Sequence, residues 1–366
     1  MSSSAGGKNG KIELYRFIFC LYVLFFHYDK YFFSLPETWG EPIDFALFPH
    51  GAIGVEFFFV TSGWLMASSV YKKRKRSPET AGQFVPGEGL VFLKRKFMAM
   101  LPQRIPAFVL AYISYVALNR FSAYDAFIKA VCSVPSFFLI QISGYRLIMP
   151  NHVEWYISAM LVAMAVIYPL LVKYYESFTR YIAPLFSLFI IGYLMYNYSS
   201  LSGVWVWTGH FFKPLLRAVS EVALGTTAFE VSRYLSENKT SRSSRMKLTL
   251  LEAACFMGTT AYVLFTFDLD LEPYALAAIF LMVAIAFSGV SYGSDKFNNG
   301  LCYFLGKLSL PIYLSQVAAI NFTLACFEDR SGTEQSLIAT ALMVVITTAV
   351  MLIGAAIKKT MTKKNA

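Results

Sequence analysis

The chain has 366 residues, of which 57% are hydrophobic and only 15% are charged. Soluble globular proteins carry roughly 25% charged residues, so this composition excludes a water-soluble domain and also the disordered, collagen-like and disulfide-stapled secreted classes. The net charge of +10 resides in short basic runs between apolar segments, which favours positive-inside membrane topology over nucleic-acid binding.

The predicted elements are membrane-spanning helices, since each needs roughly 20 apolar residues. Basic runs at 72–76, 94–96, 239–247 and 358–364 are predicted to be cytoplasmic. An even number of crossings must then separate 96 from 239, so one of two weaker candidates, 126–142 or 214–234, does not span. We predict an all-α polytopic bundle of about ten transmembrane helices with both termini cytoplasmic. The candidate spans are 14–33, 52–71, 97–118, 126–142, 155–172, 181–198, 214–234, 248–267, 274–292, 301–327 and 337–357.

The ends of the chain are polar. Residues 1–11 are predicted to form a disordered cytoplasmic tail ahead of an uncleaved first span. Residues 12–358 are predicted to form a single membrane domain, and 359–366 a basic cytoplasmic tail. The five cysteines lie in or beside apolar stretches without CxxC spacing, so neither a zinc site nor a disulfide framework is predicted.

Ionisable side chains inside predicted spans are the first functional candidates, because burying charge in lipid is costly. Arg16 and His27 are 11 residues apart, which corresponds to roughly 16 Å of rise and about 20° of rotation, so both lie on one helix face. Glu56 enters the next span at a depth comparable to that of His27. We therefore predict a pair in which Glu56 orients or charges the imidazole. The alternative is that His27 and Glu56 are packing residues.

A third candidate is Arg104, which lies between Pro102 and Pro106 in the predicted third span. An arginine near a kinked helix end also commonly snorkels to the lipid headgroups. Both interpretations of Arg104 stay open at the level of sequence.

Several segments resemble signatures of the integral-membrane acyltransferase-3 family, over most of the chain. An arginine followed after ten residues by a histidine is matched by Arg16 and His27, and a Gly-Val-acid-aromatic segment by GVEFFFVTSG at 54–63. A basic run leading to a proline resembles 92–102, with Ala99 where a further arginine is common. Later segments are WYIS at 155–158, with Met160 where a glutamate is common, and LGKLSLPIYL at 305–314, with Gln316 where a histidine is frequent.

The resemblance implies a membrane O-acyltransferase that moves an acyl group, most often acetyl, from cytoplasmic acyl-CoA to a hydroxyl of a cell-surface glycan or lipid-linked sugar. It implies His27 as general base or transient acyl carrier, assisted by Glu56. The donor phosphates are assigned to Arg16, Lys94, Arg95 and Lys96, and substrate contacts to Ser62, Trp155, Ser158 and Tyr313.

The protein is expected to work in a membrane with a soluble donor and a glycan acceptor. The predicted partners are the lipid bilayer, acyl-CoA as co-substrate and the glycan acceptor, with no nucleic acid, no metal and no permanently bound cofactor. The predicted location is the inner (plasma) membrane. The alternative function is a transporter or flippase, because Pro102, Pro106 and Pro311 would break helices as in solute pathways. No inverted repeat is visible in the sequence.

Overall fold

The computed structural model describes residues 9–33, 46–80, 82–144, 147–203, 205–238, 241–265 and 269–364. These ranges contain eleven helices of 15 residues or more and one two-residue hairpin, so the predicted all-α fold is confirmed. The hairpin pairs β1 (Trp207–Thr208) with β2 (Phe211–Phe212) in antiparallel register. The helices are α1 (Gly10–Phe32), α2 (Gly54–Arg76), α3 (Glu88–Asn119), α4 (Ala123–Phe137), α5 (Trp155–Lys173), α6 (Ala183–Tyr198), α7 (Lys213–Glu237), α8 (Arg242–Phe265), α9 (Glu272–Ser288), α10 (Gly300–Cys326) and α11 (Gly332–Lys364).

Seven helical stretches in these ranges are long and apolar enough to cross a membrane. Helices α1 and α7 have 23 and 25 residues but are interrupted by charged side chains, and α9 has 17 residues. Together these make ten long helices, in agreement with the predicted bundle. The seven apolar stretches are Gly51–Arg76, Glu88–Asn119, His152–Lys173, Tyr175–Tyr198, Arg242–Phe265, Gly300–Cys326 and Gly332–Lys363.

Helix α4 decides which of the two weak candidate spans is too short. It has 15 residues, which extend about 22 Å at 1.5 Å per residue, less than the roughly 30 Å of a hydrocarbon core. Its start is set by Ser122, whose hydroxyl accepts a hydrogen bond from the Asp125 amide at 3.1 Å. Helix α7, in contrast, extends about 37 Å. Helix α4 in the segment 126–142 is therefore too short to cross as one straight helix, whereas α7 is long enough.

The helix bounds correct three details of the sequence prediction. Helix α1 begins at Gly10, because Asn9 Oδ1 accepts from the Lys11 amide at 3.1 Å, and Lys11 itself is buried with its Nζ 3.1 Å from Glu252 Oε2. The predicted disordered tail is therefore shorter than 1–11, and residues 1–8 lie outside the described ranges. Helix α11 continues to Lys364 through most of the predicted basic tail. The basic runs 72–76 and 94–96 are helical turns of α2 and α3 instead of loop residues.

The chain divides into two compact units. The first comprises Met1–Val23, Phe48–Val91 and Ala159–Lys307, and the second comprises Leu24–Leu47, Phe92–Ser158 and Leu308–Ala366. Several helices begin in one unit and end in the other.

In the first unit, α7 packs against α2, α6 and α9, and α9 also contacts α8. Its core is apolar and aromatic, and the rings of Phe19 and Phe57 stack at 4.3 Å between centroids. Helix α9 begins at Glu272 followed by a proline and ends at Gly289, whose φ of 69° is the left-handed conformation common at helix ends. This unit holds Glu56.

The second unit contains the outer part of α1, most of α3, α4, the first turn of α5, most of α10 and all of α11. Polar contacts join its helices. The Asn321 side chain on α10 donates to the Ser114 hydroxyl on α3 at 3.3 Å, and the Tyr313 hydroxyl donates to the Val153 carbonyl. This unit holds His27 and the residues around it.

The close contact between α2 and α7 in the first unit depends on two glycines. A Cβ added at Gly63 would lie 2.0 Å from the Val222 carbonyl oxygen, and one at Gly225 would lie 2.1 Å from the Val60 carbonyl oxygen. Backbone atoms of α2 and α7 therefore touch directly, as small residues allow in membrane helix pairs.

We expect Gly63→Ala to lower the free energy of unfolding by about 1–3 kcal/mol or more, because the new methyl group must push two backbones apart. Gly192→Ala on α6 is the matched control, since a Cβ there meets nothing within 4 Å. The melting temperatures of the two variants in detergent check this. Equal melting temperatures would contradict the proposed close contact.

Candidate functional site

The centre of the site is His27, a half-buried imidazole on α1. Its Nδ1 lies 3.1 Å from Oε1 of Gln316 on α10. The amide nitrogen of Gln316 donates to the Tyr313 carbonyl one helical turn earlier, at 3.0 Å. This bond uses the amide nitrogen, so the hydrogen-bond network assigns the oxygen to the imidazole. Nδ1 of His27 then carries the hydrogen, and in the neutral ring the lone pair lies on Nε2.

A short 3₁₀ turn, His152–Glu154, lies beside this pair and is docked on α10. The Tyr313 hydroxyl donates to the Val153 carbonyl, and the side-chain amide of Asn151 donates to the Leu314 carbonyl at 3.1 Å. Tyr313 therefore positions both the turn and Gln316, because its hydroxyl binds Val153 and its carbonyl accepts from the Gln316 amide. The same stretch of α10 positions the imidazole and the turn.

Arg104 and Glu154 fix the other side of this turn. The Arg104 Nη2 and Nε donate to the two Glu154 carboxylate oxygens at 2.8 and 3.3 Å, and both side chains have 0% exposure. Nη2 also donates to the Phe137 carbonyl at 3.0 Å. The guanidinium lies between two rings, 5.4 Å from the centroid of Phe97 and 5.6 Å from that of Phe137. Arg104 is thus a buried partner of Glu154, and its alternative interpretation as a snorkelling residue is wrong.

His152 is a residue of the site that the sequence analysis missed. Its ring lies 6.2 Å from that of His27 between centroids, and its Nε2 lies 3.3 Å from the Tyr31 hydroxyl on α1. Tyr31 in turn stacks on His27 with 6.4 Å between ring centroids. The available signal was a second histidine at the beginning of the span at 155–172, on the side of the membrane predicted for the outer end of α1.

Glu56 has a different partner from the one predicted. Its Oε1 accepts from Arg217 Nη2 at 3.0 Å, and Arg217 Nε donates to Glu221 Oε1 at 2.8 Å, all within the first unit. These side chains are buried, and Oε2 of Glu56 has no hydrogen-bond partner among the described residues. The partner of Glu56 is therefore a guanidinium instead of an imidazole. Glu56 was expected to orient or charge the imidazole of His27, and the side chain that the structure places at Nδ1 of His27 is Gln316.

The cations predicted to bind the donor phosphates lie on two helices. Arg16 on α1, in the first unit, has 33% of its side chain exposed and pairs with Glu13 at 2.9 Å. Lys94, Arg95 and Lys96 lie on successive positions of α3 in the second unit, with Lys94 and Arg95 exposed and Lys96 near the ring of Phe92. The structure thus keeps three of the four cations together on one turn.

The hydroxyls predicted to contact substrate make protein contacts. The Ser158 hydroxyl donates to the Leu139 carbonyl at 2.5 Å, and that of Ser62 donates to the Met160 sulfur at 3.2 Å. Tyr313 holds Val153, as above, and Trp155 is 9% exposed. Ser158 therefore fixes the backbone at Leu139, and Tyr313 fixes the turn that contains His152. The direct substrate contacts of these four residues stay predictions. In the described part of the chain, no three histidine, cysteine or carboxylate side chains are grouped to hold a metal ion.

A comparison with known protein families gives a match over nearly the whole chain. The family model of an acyltransferase domain, Acyl_transf_3, matches residues 9–357, which is nearly the whole chain. No curated protein and no solved structure matches significantly.

We expect Glu154→Gln to lower the free energy of unfolding by about 3–5 kcal/mol, because it leaves the Arg104 charge buried without its counter-ion. The control is Glu237→Gln, which breaks the exposed pair with Arg233 on α7 and should cost little. Thermal unfolding in one detergent compares the two variants. A Glu154→Gln protein that melts with the control would show that the pair does not hold the turn.

Proposed function

Because the chain belongs to the acyltransferase-3 family, we propose that it moves an acyl group, most simply acetyl, from acyl-CoA to a hydroxyl of a cell-surface glycan or lipid-linked sugar. Membership makes the chain a multi-pass membrane acyltransferase. The observation that supports His27 as the base of this reaction is its bond to Gln316, since it leaves the basic lone pair of the imidazole on Nε2.

The proposed mechanism uses His27 as general base. Nε2 removes the proton of the acceptor hydroxyl while the hydroxyl oxygen attacks the thioester carbonyl carbon. The carbon–sulfur bond then breaks, and the CoA thiolate takes the proton from His27. Gln316 holds the ring throughout by accepting from Nδ1. In a covalent version of the same geometry, Nε2 attacks the thioester first and carries the acyl group.

The proposed donor side is the basic turn on α3. The nucleotide end of CoA is polyanionic, and Arg95 together with Lys94 is exposed and offers charge-assisted hydrogen bonds to phosphate. Positive-inside topology predicts that this turn is cytoplasmic, and an even number of crossings would leave both termini on the same side. Lys96 is assigned to the same donor contacts, and Arg16 on α1 is a separate donor-binding prediction. A plasma-membrane location and a CoA co-substrate, with no resident cofactor, complete the proposal.

The transporter alternative was based on prolines that would break helices, and the helices that contain them are continuous. Helix α3 continues through Pro102 and Pro106, and α10 continues through Pro311. These prolines therefore do not produce the discontinuous helices that are typical of solute pathways. The catalytic assignment of Glu56 stays a prediction, because its observed partner is Arg217.

The direct experiment incubates purified protein with radiolabelled acetyl-CoA and envelope glycan extracted from cells that lack the protein. Release of free CoA thiol with label in the glycan supports the proposal. Solute counterflow without thiol release would overturn it in favour of transport.

We expect His27→Ala to lose about 10²- to 10⁴-fold of acetyl transfer, the usual contribution of a positioned general base, while it purifies and melts like the parent. A packing histidine predicts the reverse: a lower melting temperature with specific activity retained. Activity and melting temperature measured on one preparation separate the two roles.

We expect Arg95→Ala to raise the KM for acetyl-CoA several-fold with little change in kcat, because a cation at the phosphates is remote from the reacting carbon. Arg95→Lys should restore part of the affinity, since lysine lacks the bidentate fork. Lys75→Ala, an exposed change on α2, is the control for loss of charge alone. An unchanged KM in Arg95→Ala would remove this residue from donor binding.

A further inference from the structure

His152 has no role in the proposed mechanism, yet it is one of the most firmly positioned side chains near His27. Its turn is held on one side by Arg104 through Glu154, with two charged hydrogen bonds at 2.8 and 3.3 Å. Helix α10 holds the two chain neighbours of His152. The Asn151 side-chain amide donates to the Leu314 carbonyl at 3.1 Å, and the Tyr313 hydroxyl donates to the Val153 carbonyl. A buried ion pair and two hydrogen bonds therefore fix a half-buried imidazole.

The contacts of His152 also determine which of its nitrogens can act on a ligand. Nε2 is bound to the Tyr31 hydroxyl at 3.3 Å, whereas Nδ1 has no hydrogen-bond partner among the residues that the structure describes. A phenol is a stronger donor than a neutral imidazole N–H, so Tyr31 donates and Nε2 accepts. The hydrogen of the neutral ring is then on Nδ1.

The charged and titratable groups near His152 lie on α1, on α3 and in its own turn. His27 lies 6.2 Å away between ring centroids, and Lys30 on the same helix is the other nearby cation. The charges of Arg104 and Glu154, on α3 and in the turn, compensate one another. When His27 accepts a proton, a second proton on His152 would place two like charges side by side. His152 is thus suited to donate a hydrogen bond without giving up its proton.

We propose that His152 is a further catalytic residue whose Nδ1–H binds the carbonyl oxygen of the acyl group and stabilises the oxyanion formed during transfer. The inference rests on the proposed function. It assigns the two imidazoles different tasks: His27 handles the proton, and His152 handles the developing negative charge.

The step balances with the groups already named. The acceptor O–H bond breaks and its proton goes to Nε2 of His27, while the new O–C bond moves the carbonyl electron pair onto oxygen. That oxyanion accepts the Nδ1–H bond of His152. The electron pair returns as the C–S bond breaks, and the thiolate leaves with the proton from His27. His152 ends the cycle unchanged.

The test compares His152→Asn with His152→Leu, because the amide nitrogen of asparagine occupies nearly the position of Nδ1 and leucine has no donor. Loss of one oxyanion donor typically costs about 10²- to 10³-fold in kcat. We expect that loss of kcat for His152→Leu. For His152→Asn we expect a kcat within about ten-fold of the parental value. His210→Leu in the exposed hairpin turn is the control and should be unchanged.

The pH profile separates this role from proton transfer. His152→Leu should keep the acidic limb of the kcat/KM profile at its parental pH, with a lower plateau, whereas His27 variants should lose that limb. Loss of the limb in His152→Leu, or equal activity of the leucine and asparagine variants, would overturn the proposal. Should the leucine variant fail to fold, Tyr31→Phe is the second variant to measure, because it removes the hydroxyl bound to Nε2 of His152. We expect its kcat to be several-fold lower. A parental kcat would overturn the proposal.

Different results would refute the proposed function and the oxyanion role of His152. Wild-type protein that releases no thiol from acetyl-CoA refutes the proposed function. Wild-type protein that is active, with a His152→Leu variant equal to it, refutes only the oxyanion role.

Discussion

The ion pair between Arg104 and Glu154 is the interaction on which the geometry of the site depends. Both side chains are fully buried, and a charge left without its counter-ion there would cost several kcal/mol. The pair therefore forces the turn 152–154 against α3, while Tyr313 and Asn151 tie the same turn to α10. Because α10 also presents Gln316, one network sets the position of both imidazoles. This network gives the second unit a preorganised centre in which ring orientation is fixed before any substrate binds.

The need of a buried charge for a partner also explains the charged side chains in the first unit. Arg217 bonds to two carboxylates, Glu56 and Glu221, and the Glu252 carboxylate receives hydrogen bonds from Lys11 and Tyr15. Arg217 and Lys11 each bond to a carboxylate on another helix, and Glu221 bonds to Arg217 one turn away on α7 itself, so these buried ions have the partners that an apolar bundle requires. Helices α2 and α7 can meet through Arg217 because their glycines bring the backbones into contact. Ionisable residues in these helices thus specify helix pairing, and they do not all belong to the chemistry.

Periodicity and composition predicted the all-α bundle, the ten long helices and the position of His27 and Arg16 on α1, because these depend on local sequence. They could not predict partners on other helices. Depth along two helices suggested Glu56 for His27, but Arg217 lies on a helix whose neighbours no local pattern reveals. Gln316 was noted only as a departure from a family signature, and its amide is what holds the imidazole. His152 was missed because its role depends on Tyr31 and on the turn, and neither contact is encoded by spacing.

The central claim is that Gln316 accepts from Nδ1 of His27 and so leaves Nε2 as the base. It is tested most directly by the pH dependence of kcat/KM in Gln316→Glu. A carboxylate at this position still accepts from Nδ1 and favours the protonated imidazole, so a higher pH is needed to free the base. The account predicts an active enzyme whose acidic limb moves to higher pH than in the parent. An active variant with its limb unmoved would contradict it.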